Sequence, residues 1–298
     1  MLLTITTTHR PATDLGYLLV KHPDRVHEFR VSTGTAYVCY PEAGPDRCTA
    51  ALLLDVDPLA LRSRGRDRPE DFTLGRFVND RPYAASSLLS AAIAQVFGSA
   101  RRGASADRPE LAATPIPLEL RLPAVRCRDA SAASAVKHGA SLAESLFAPL
   151  GWDVTATPIP VDDGPGSHVD LMLTGTLRLA DALNQVYVLL PVLDDAKHYW
   201  VAPDEVDKLL RAGTGWLAAH PQRALIARRY LAHRRSLATV ALARLAETES
   251  DPDAAATTAA PDEDAELPPS ARKEPLALQR RTAVRAALEA AGALGAAA

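Results

Sequence analysis

At 298 residues and 47% apolar composition, the chain is long enough to bury a substantial core, which excludes global disorder. Its formal charge of -3 excludes a protein that holds nucleic acid through overall basic charge, so any such contact must come from a local patch. Cys39, Cys48 and Cys127 are an odd set without CxxC spacing, which argues against a disulfide framework or structural zinc and for a reducing cytoplasm.

The N-terminus has no basic segment followed by an apolar one, and no window approaches about 18 unbroken apolar residues, so neither a signal peptide nor a membrane span is expected. Leu2 to Thr8 alternates like a strand, and Leu15 to Lys21 reads as a short helix stopped by Pro23. Two strands, Thr35–Tyr40 and Thr49–Val56, follow around a Gly-Pro-Asp turn. The charged Leu61–Asp71 segment reads as loop. Ser86 and Ser87 are candidate caps for a helix carrying Leu88, Leu89, Ala92, Ile93 and Val96, with Gly98 at its end.

After an Arg-, Gly- and Ser-rich boundary at Ala100–Pro109, the order repeats. Leu118–Leu122 reads as a strand, Ala135–Leu150 as a helix ended by Gly151, and Val154–Ile159 and His168–Gly175 as strands. A helix from Leu179 carries Leu183, Val186, Tyr187 and Leu190 as its core positions. The expected class is therefore α+β: two βαββα-like halves whose mixed or antiparallel sheet is packed by helices, followed by a helical subdomain. That subdomain comprises a helix opened by Pro203 and ended by Gly213, a turn at Trp216 to Pro221, and one long helix from Gln222 to about Ala246. The long helix places Ile226, Tyr230, Leu237 and Val240 on one face, with Arg228 and Arg235 nearly opposite. Glu247 to about Pro269 reads as an acidic Pro/Ala linker, and a last helix is expected over Pro275–Ala291. The expected domains are 1–246, with candidate subdomains 1–100 and 113–246, a linker over 247–271, and a terminal helix in 272–298.

The densest chemistry is the arginine helix: Arg223, Arg228, Arg229, Arg234 and Arg235, with His233 beside them. Guanidinium forks suit phosphate or carboxylate partners. The alternative is a solvated face whose arginines pair with Asp204, Glu205 or Asp207. His168 and Asp170 share a strand face, and Asp162-Asp163 lies nearby, but no further ligand is tied to them by spacing, so a turn and edge strand is preferred over a metal or acid–base site. GPGS and AGTG lack the spacing of phosphate or dinucleotide loops, and Ser167 lies in no nucleophile elbow. Tyr199, Trp200 and Trp216 could stack bases but fit a helix junction better. Cys127 reads as a small buried thiol.

The run YVLLPVLDDAKHYWVAPDEVDKLLRAGTGWLAAHPQRALIARRYLAHRRSL, with the opening LLTITTTHRPATDLGYLLVKHPDRVHEF and the blocks GTAYVCYPE, LLLDVDPLAL and FVNDRPYAASSLLSAAIAQVFGSA, resembles the N-terminal half of the bacterial Hen family, the 3'-terminal RNA ribose 2'-O-methyltransferases of RNA repair. The resemblance implies a non-catalytic half that binds the RNA ligase module of a polynucleotide kinase–phosphatase–ligase and activates its adenylylation and sealing. It implies S-adenosylmethionine and Mn²⁺ only in the methyltransferase half, whose Gly-rich donor loop has no counterpart before the closing LGAAA. The expectations are thus a cytoplasmic, non-enzymatic interaction protein with no cofactor of its own, in a hetero-oligomer with the ligase and touching RNA at most weakly. Its rivals are one subunit of a split methyltransferase and a direct RNA-binding module.

Overall fold

Strand β1 (Leu2–Thr7) follows its alternation: Leu3 and Ile5 are fully buried, while Leu2 and Thr4 are half-buried on the other side. The computed structural model describes residues 1–31, 34–57, 85–128, 135–159, 168–195, 204–231 and 235–250, all within the unit Met1–Ala255. A 3-10 turn leads from β1 into α1 (Leu15–Leu19), then β2 (His27–Val31), β3 (Gly34–Ala43) and β4 (Cys48–Val56). Helices α2 (Ala85–Val96), α3 (Gly98–Arg101) and α4 (Pro109–Ala112) precede the second half: β5 (Ile116–Arg126), α5 (Ala135–Phe147), β6 (Asp153–Pro158), β7 (His168–Leu177) and α6 (Leu179–Asp194). Then come α7 (Asp204–Ala212), α8 (Arg223–Tyr230) and α9 (Arg235–Ser250).

Among the described residues the strands form one seven-stranded sheet in the order β2-β3-β4-β1-β5-β7-β6, and every pairing is antiparallel. The two halves meet where Thr4–Thr7 of β1 pair with Arg121–Leu118 of β5. Their internal order is the same: in each, the first strand pairs with the last, and the last pairs with the one before it. The mixed sheet allowed by the sequence is therefore purely antiparallel. One row of side chains, Ala50–Ile5–Leu120–Leu173–Val154, crosses five strands on the helix-covered face. The opposite row, Cys39–Ala51–Thr4–Arg121–Met172–Thr155, faces away from that layer.

Two prolines in β5 are tolerated for separate reasons. Pro117 lies beyond the stretch paired with β1, and Pro123 sits in the bulge between Leu122 and Val125, so neither interrupts a ladder bond at the seam. Helix α6 is the centre of the helical layer. Ala182, Leu183, Val186, Val188, Leu189, Val192 and Leu193 have no exposed surface, because α6 packs on β5, α2, α3, α7 and α8 at once. Gly175 is required beside it, since a Cβ there would lie 2.9 Å from the Gly151 carbonyl oxygen and 2.7 Å from Leu177.

Several expectations are corrected. His27–Val31 forms a further strand, so the first half is βαβββα rather than βαββα. Gly98 opens α3 rather than closing α2, because Arg102 N–H bonds back to its carbonyl at 3.2 Å. Ser86 and Ser87 lie inside the first turn of α2 instead of capping it; the Ser86 hydroxyl donates to Asp194 at 2.5 Å. The single long helix is two, since Leu231 leaves helical geometry at φ -89°, ψ 22° and a new helix starts at Arg235. Val240 is consequently 48% exposed rather than in the apolar stripe. Helix α9 also runs to Ser250, into the stretch expected as linker. The loop at Leu61–Asp71 and the helix at Pro275–Ala291 lie outside the described residues.

The buried Trp152 indole donates to Gln185 Oε1 at 2.7 Å, tying the entry of β6 to α6. Gln185→Leu leaves that N–H unpaired in the core and is expected to cost about 1–3 kcal/mol. Urea unfolding checks this; a midpoint equal to wild type would contradict it.

Candidate functional site

The helix RALIARRY presents its arginines in two directions, because Ile226, Ala227 and Tyr230 set its buried face. Arg223 and Arg228 are exposed. Arg223 Nη1 donates to the Ala218 carbonyl at 2.7 Å, back along the turn that precedes α8. Arg229 is only 3% exposed. It points into the C-terminus of α6, donating from Nη1 to the Val192 carbonyl at 3.0 Å, with Nε 3.6 Å from Asp195. Arg234 lies outside the described residues, and Arg235 opens α9. The five arginines are therefore not one surface.

What Arg229 meets is a buried charged cluster that the sequence reading missed. Asp194 ends α6 at 2% exposure and accepts from Ser86, with the Arg128 guanidinium 4.0 Å away. A helix C-terminus carries partial negative charge, and two carboxylates add to it, so buried cations there are favourable. Cys127 lies beside this cluster; burial, with the nearby Asp194 charge, pushes its thiol up to about 12, leaving it an unreactive thiol near neutral pH. The available signal was helical phase: Arg229 is three residues after Ile226 and therefore flanks the apolar stripe.

Two further contacts hold α8 in place. Tyr230 donates to the Tyr187 hydroxyl at 3.2 Å, and Arg101 stacks 3.9 Å over the Tyr187 ring while its Nε donates to Asn184. His220 is buried before α8, with Nε2 3.0 Å from the Leu146 carbonyl and Nδ1 2.9 Å from Gln222 N. A carbonyl only accepts, so Nε2 carries the proton and Nδ1 accepts from Gln222. The imidazole must therefore stay neutral, and burial holds its proton affinity below the ordinary histidine value.

The remaining candidates resolve into structural roles. Asp170 receives both donors of Arg121, at 3.1 and 2.7 Å, and that bond keeps its carboxyl below the usual range. Among the described residues no three His, Cys, Asp or Glu side chains converge as metal ligands. Trp216 is half-buried, donates to Ala212 O at 2.9 Å and meets His220 edge-on. Asp204 and Glu205 hold Lys208 at 2.9 and 3.0 Å, and Asp207 holds Arg244 at 2.6 Å. Asp162-Asp163, Ser167, the GPGS loop, Tyr199, Trp200 and His233 lie outside the described residues. The three cysteines are free, and no described helix is long and apolar enough to cross a membrane.

With this geometry in view, residues 1–246 match a family described as the RNA repair, ligase-Pnkp-associating region of Hen1. The chain belongs to that family. Its fold is also similar to a chain in the structure of the Pnkp1/Rnl/Hen1 RNA repair complex, at 14% identity and TM-score 0.53, covering 85% of this chain and 57% of that one. A chain in a second Pnkp1/Rnl/Hen1 complex gives 15% identity, TM-score 0.52 and coverage of 85% and 56%. The chain thus spans little more than half the length of the chains it matches. No curated protein matches it.

Arg229→Ala removes a buried charged donor and is expected to cost about 2–3 kcal/mol, against about 0.5 kcal/mol or less for Arg228→Ala. Chemical denaturation of both variants checks the contrast, and equal costs would refute it. Because His220 is held neutral in the fold, its contribution to stability is intact above the ordinary value of 6.5 and is lost as pH falls below it. Thermal melts between pH 7.5 and 5 should show a drop that His220→Gln flattens; identical pH profiles would contradict this.

Proposed function

We propose that the chain is a non-catalytic module of a cytoplasmic bacterial RNA repair complex, which binds the RNA ligase module of a Pnkp-type kinase–phosphatase–ligase and raises its adenylylation. The single observation behind this reading is the match of residues 1–246 to the ligase-Pnkp-associating region of Hen1. Activation needs no chemistry in the activator. It needs stronger binding to the partner conformation that reacts with ATP than to the one that does not.

The contact surface in this reading includes Arg223 and Arg228, together with Arg234 and Arg235. Support comes from the way α8 is held: Arg229, Tyr230 and His220 anchor it from within, so Arg228 is carried outward on a rigid element. A guanidinium on such an element binds an acidic surface without first being ordered, which lowers the entropy cost of association.

Measuring AMP transfer to the ligase with and without the chain tests the proposal. Saturating protein should raise adenylylation by about 5- to 150-fold, the usual range of allosteric coupling. The double variant Arg223→Glu/Arg228→Glu should keep its thermal midpoint and lose most of this gain. Unchanged adenylylation with wild-type protein rejects the activation. Full activation by the double variant rejects the assigned surface.

A further inference from the structure

His220 ties α5 to the start of α8 through one ring and one carbonyl. Its Nε2 bonds to the Leu146 carbonyl of α5 at 3.0 Å, and its Nδ1 accepts from the Gln222 amide at 2.9 Å. Its own carbonyl accepts from the Arg223 amide at 3.0 Å, and Trp216 meets the ring edge-on at 6.0 Å. Gln222 and Arg223 open α8, where the Gln222 side chain makes no capping bond. A helix start needs acceptors for its first N–H groups, and His220 supplies two of them. The Arg223 guanidinium is held by the same turn, through the Ala218 carbonyl at 2.7 Å.

This bonding fixes one protonation state. Nε2 carries the proton, so Nδ1 accepts only while the imidazole is neutral. A second proton would set Nδ1–H against the Gln222 N–H at 2.9 Å, donor facing donor, and would place a cation at a residue only 2% exposed. Glu144 on α5, Arg211 on α7 and Arg223 on α8 are the charged residues closest in sequence on the elements around it, and all three are exposed. Burial lowers the proton affinity of His220, and the Leu146 carbonyl offsets this in part. Opening the turn returns an imidazolium to water and releases the first amides of α8.

We propose that His220 is a proton-operated pin on the arginine helix: protonation opens the turn before α8, displaces Arg223 and weakens the hold on the ligase–Pnkp partner. The inference rests on the partner reading above and adds its regulation. Arg228 lies more than a turn further along α8 and stays anchored through Arg229 and Tyr230, so the loss is partial. The closed turn is favoured above the ordinary histidine value of 6.5 and loses ground by up to about tenfold for each pH unit below it.

Hydrogen exchange on the full chain reads the pin directly. Between pH 7.5 and 5, after correction for the intrinsic rate, opening at the Gln222 and Arg223 amides should rise about threefold or more. His220→Gln keeps a donor for Leu146 and an acceptor for Gln222 but takes up no proton, so its opening should stay level. Affinity for the ligase–Pnkp protein over the same range should fall several-fold further in wild type than in His220→Gln, a comparison that removes titration elsewhere in either protein. A nitrogen-15 titration of the wild-type ring should place the proton on Nε2 at pH 7.5. A proton on Nδ1, or equal opening of the two chains at pH 5, overturns the pin. Raised opening with parallel affinity profiles overturns its control of binding. Failure of wild type to bind the partner at pH 7.5 rejects the partner reading and that control with it, while the exchange result still decides the pin.

Discussion

A sixteen-residue helix buried everywhere but along the Asp181–Asn184–Tyr187 stripe must find partners for its ends as well as its flanks, and in α6 this requirement organises the molecule. Water cannot reach its last carbonyls, so the Arg229 guanidinium bonds to the Val192 carbonyl and the Arg128 amide N–H bonds to the Leu193 carbonyl at 2.8 Å. Asp194 and Asp195 then draw in Ser86 and the same two arginines. Residues from α2, α6, α8 and the segment that follows β5 meet at one helix end. An uncompensated charge there would be costly, which makes the placement of these four elements mutually dependent.

Much of the sheet was readable because each half carries period-two runs and one apolar helical run. β5, β7 and α6 were all found by that pattern, and the halves were paired by it. What escaped depends on residues far apart. The role of Ser86 is visible only when Asp194, 108 positions away, is in place. Strand β2, HEFRV, alternates an exposed Glu28 and Arg30 with half-buried His27, Phe29 and Val31, and so offers too weak a contrast to stand out from a loop. The break after Tyr230 has no glycine or proline to announce it. Continuing α8 would have carried Ala238, Ala241 and Leu245 away from α7 and α8, where they are buried, so tertiary packing overrides a helix-favouring sequence.

The arginines show how adjacent, chemically identical residues acquire opposite uses. Arg228 and Arg229 differ by 100° of helix rotation, and that angle separates solvent from the end of α6. Composition cannot make this distinction. Phase can, once Ile226 and Tyr230 are recognised as the buried pair.

The same reasoning extends to how such a module can act on another protein. The Thr4–Arg121–Met172–Thr155 row faces away from the α6 layer, and there Arg121 and Asp170 form a paired, half-exposed clasp that discourages sheet stacking. A module whose buried charges are already paired has little to reorganise on association, so less of its binding free energy is consumed by its own ordering.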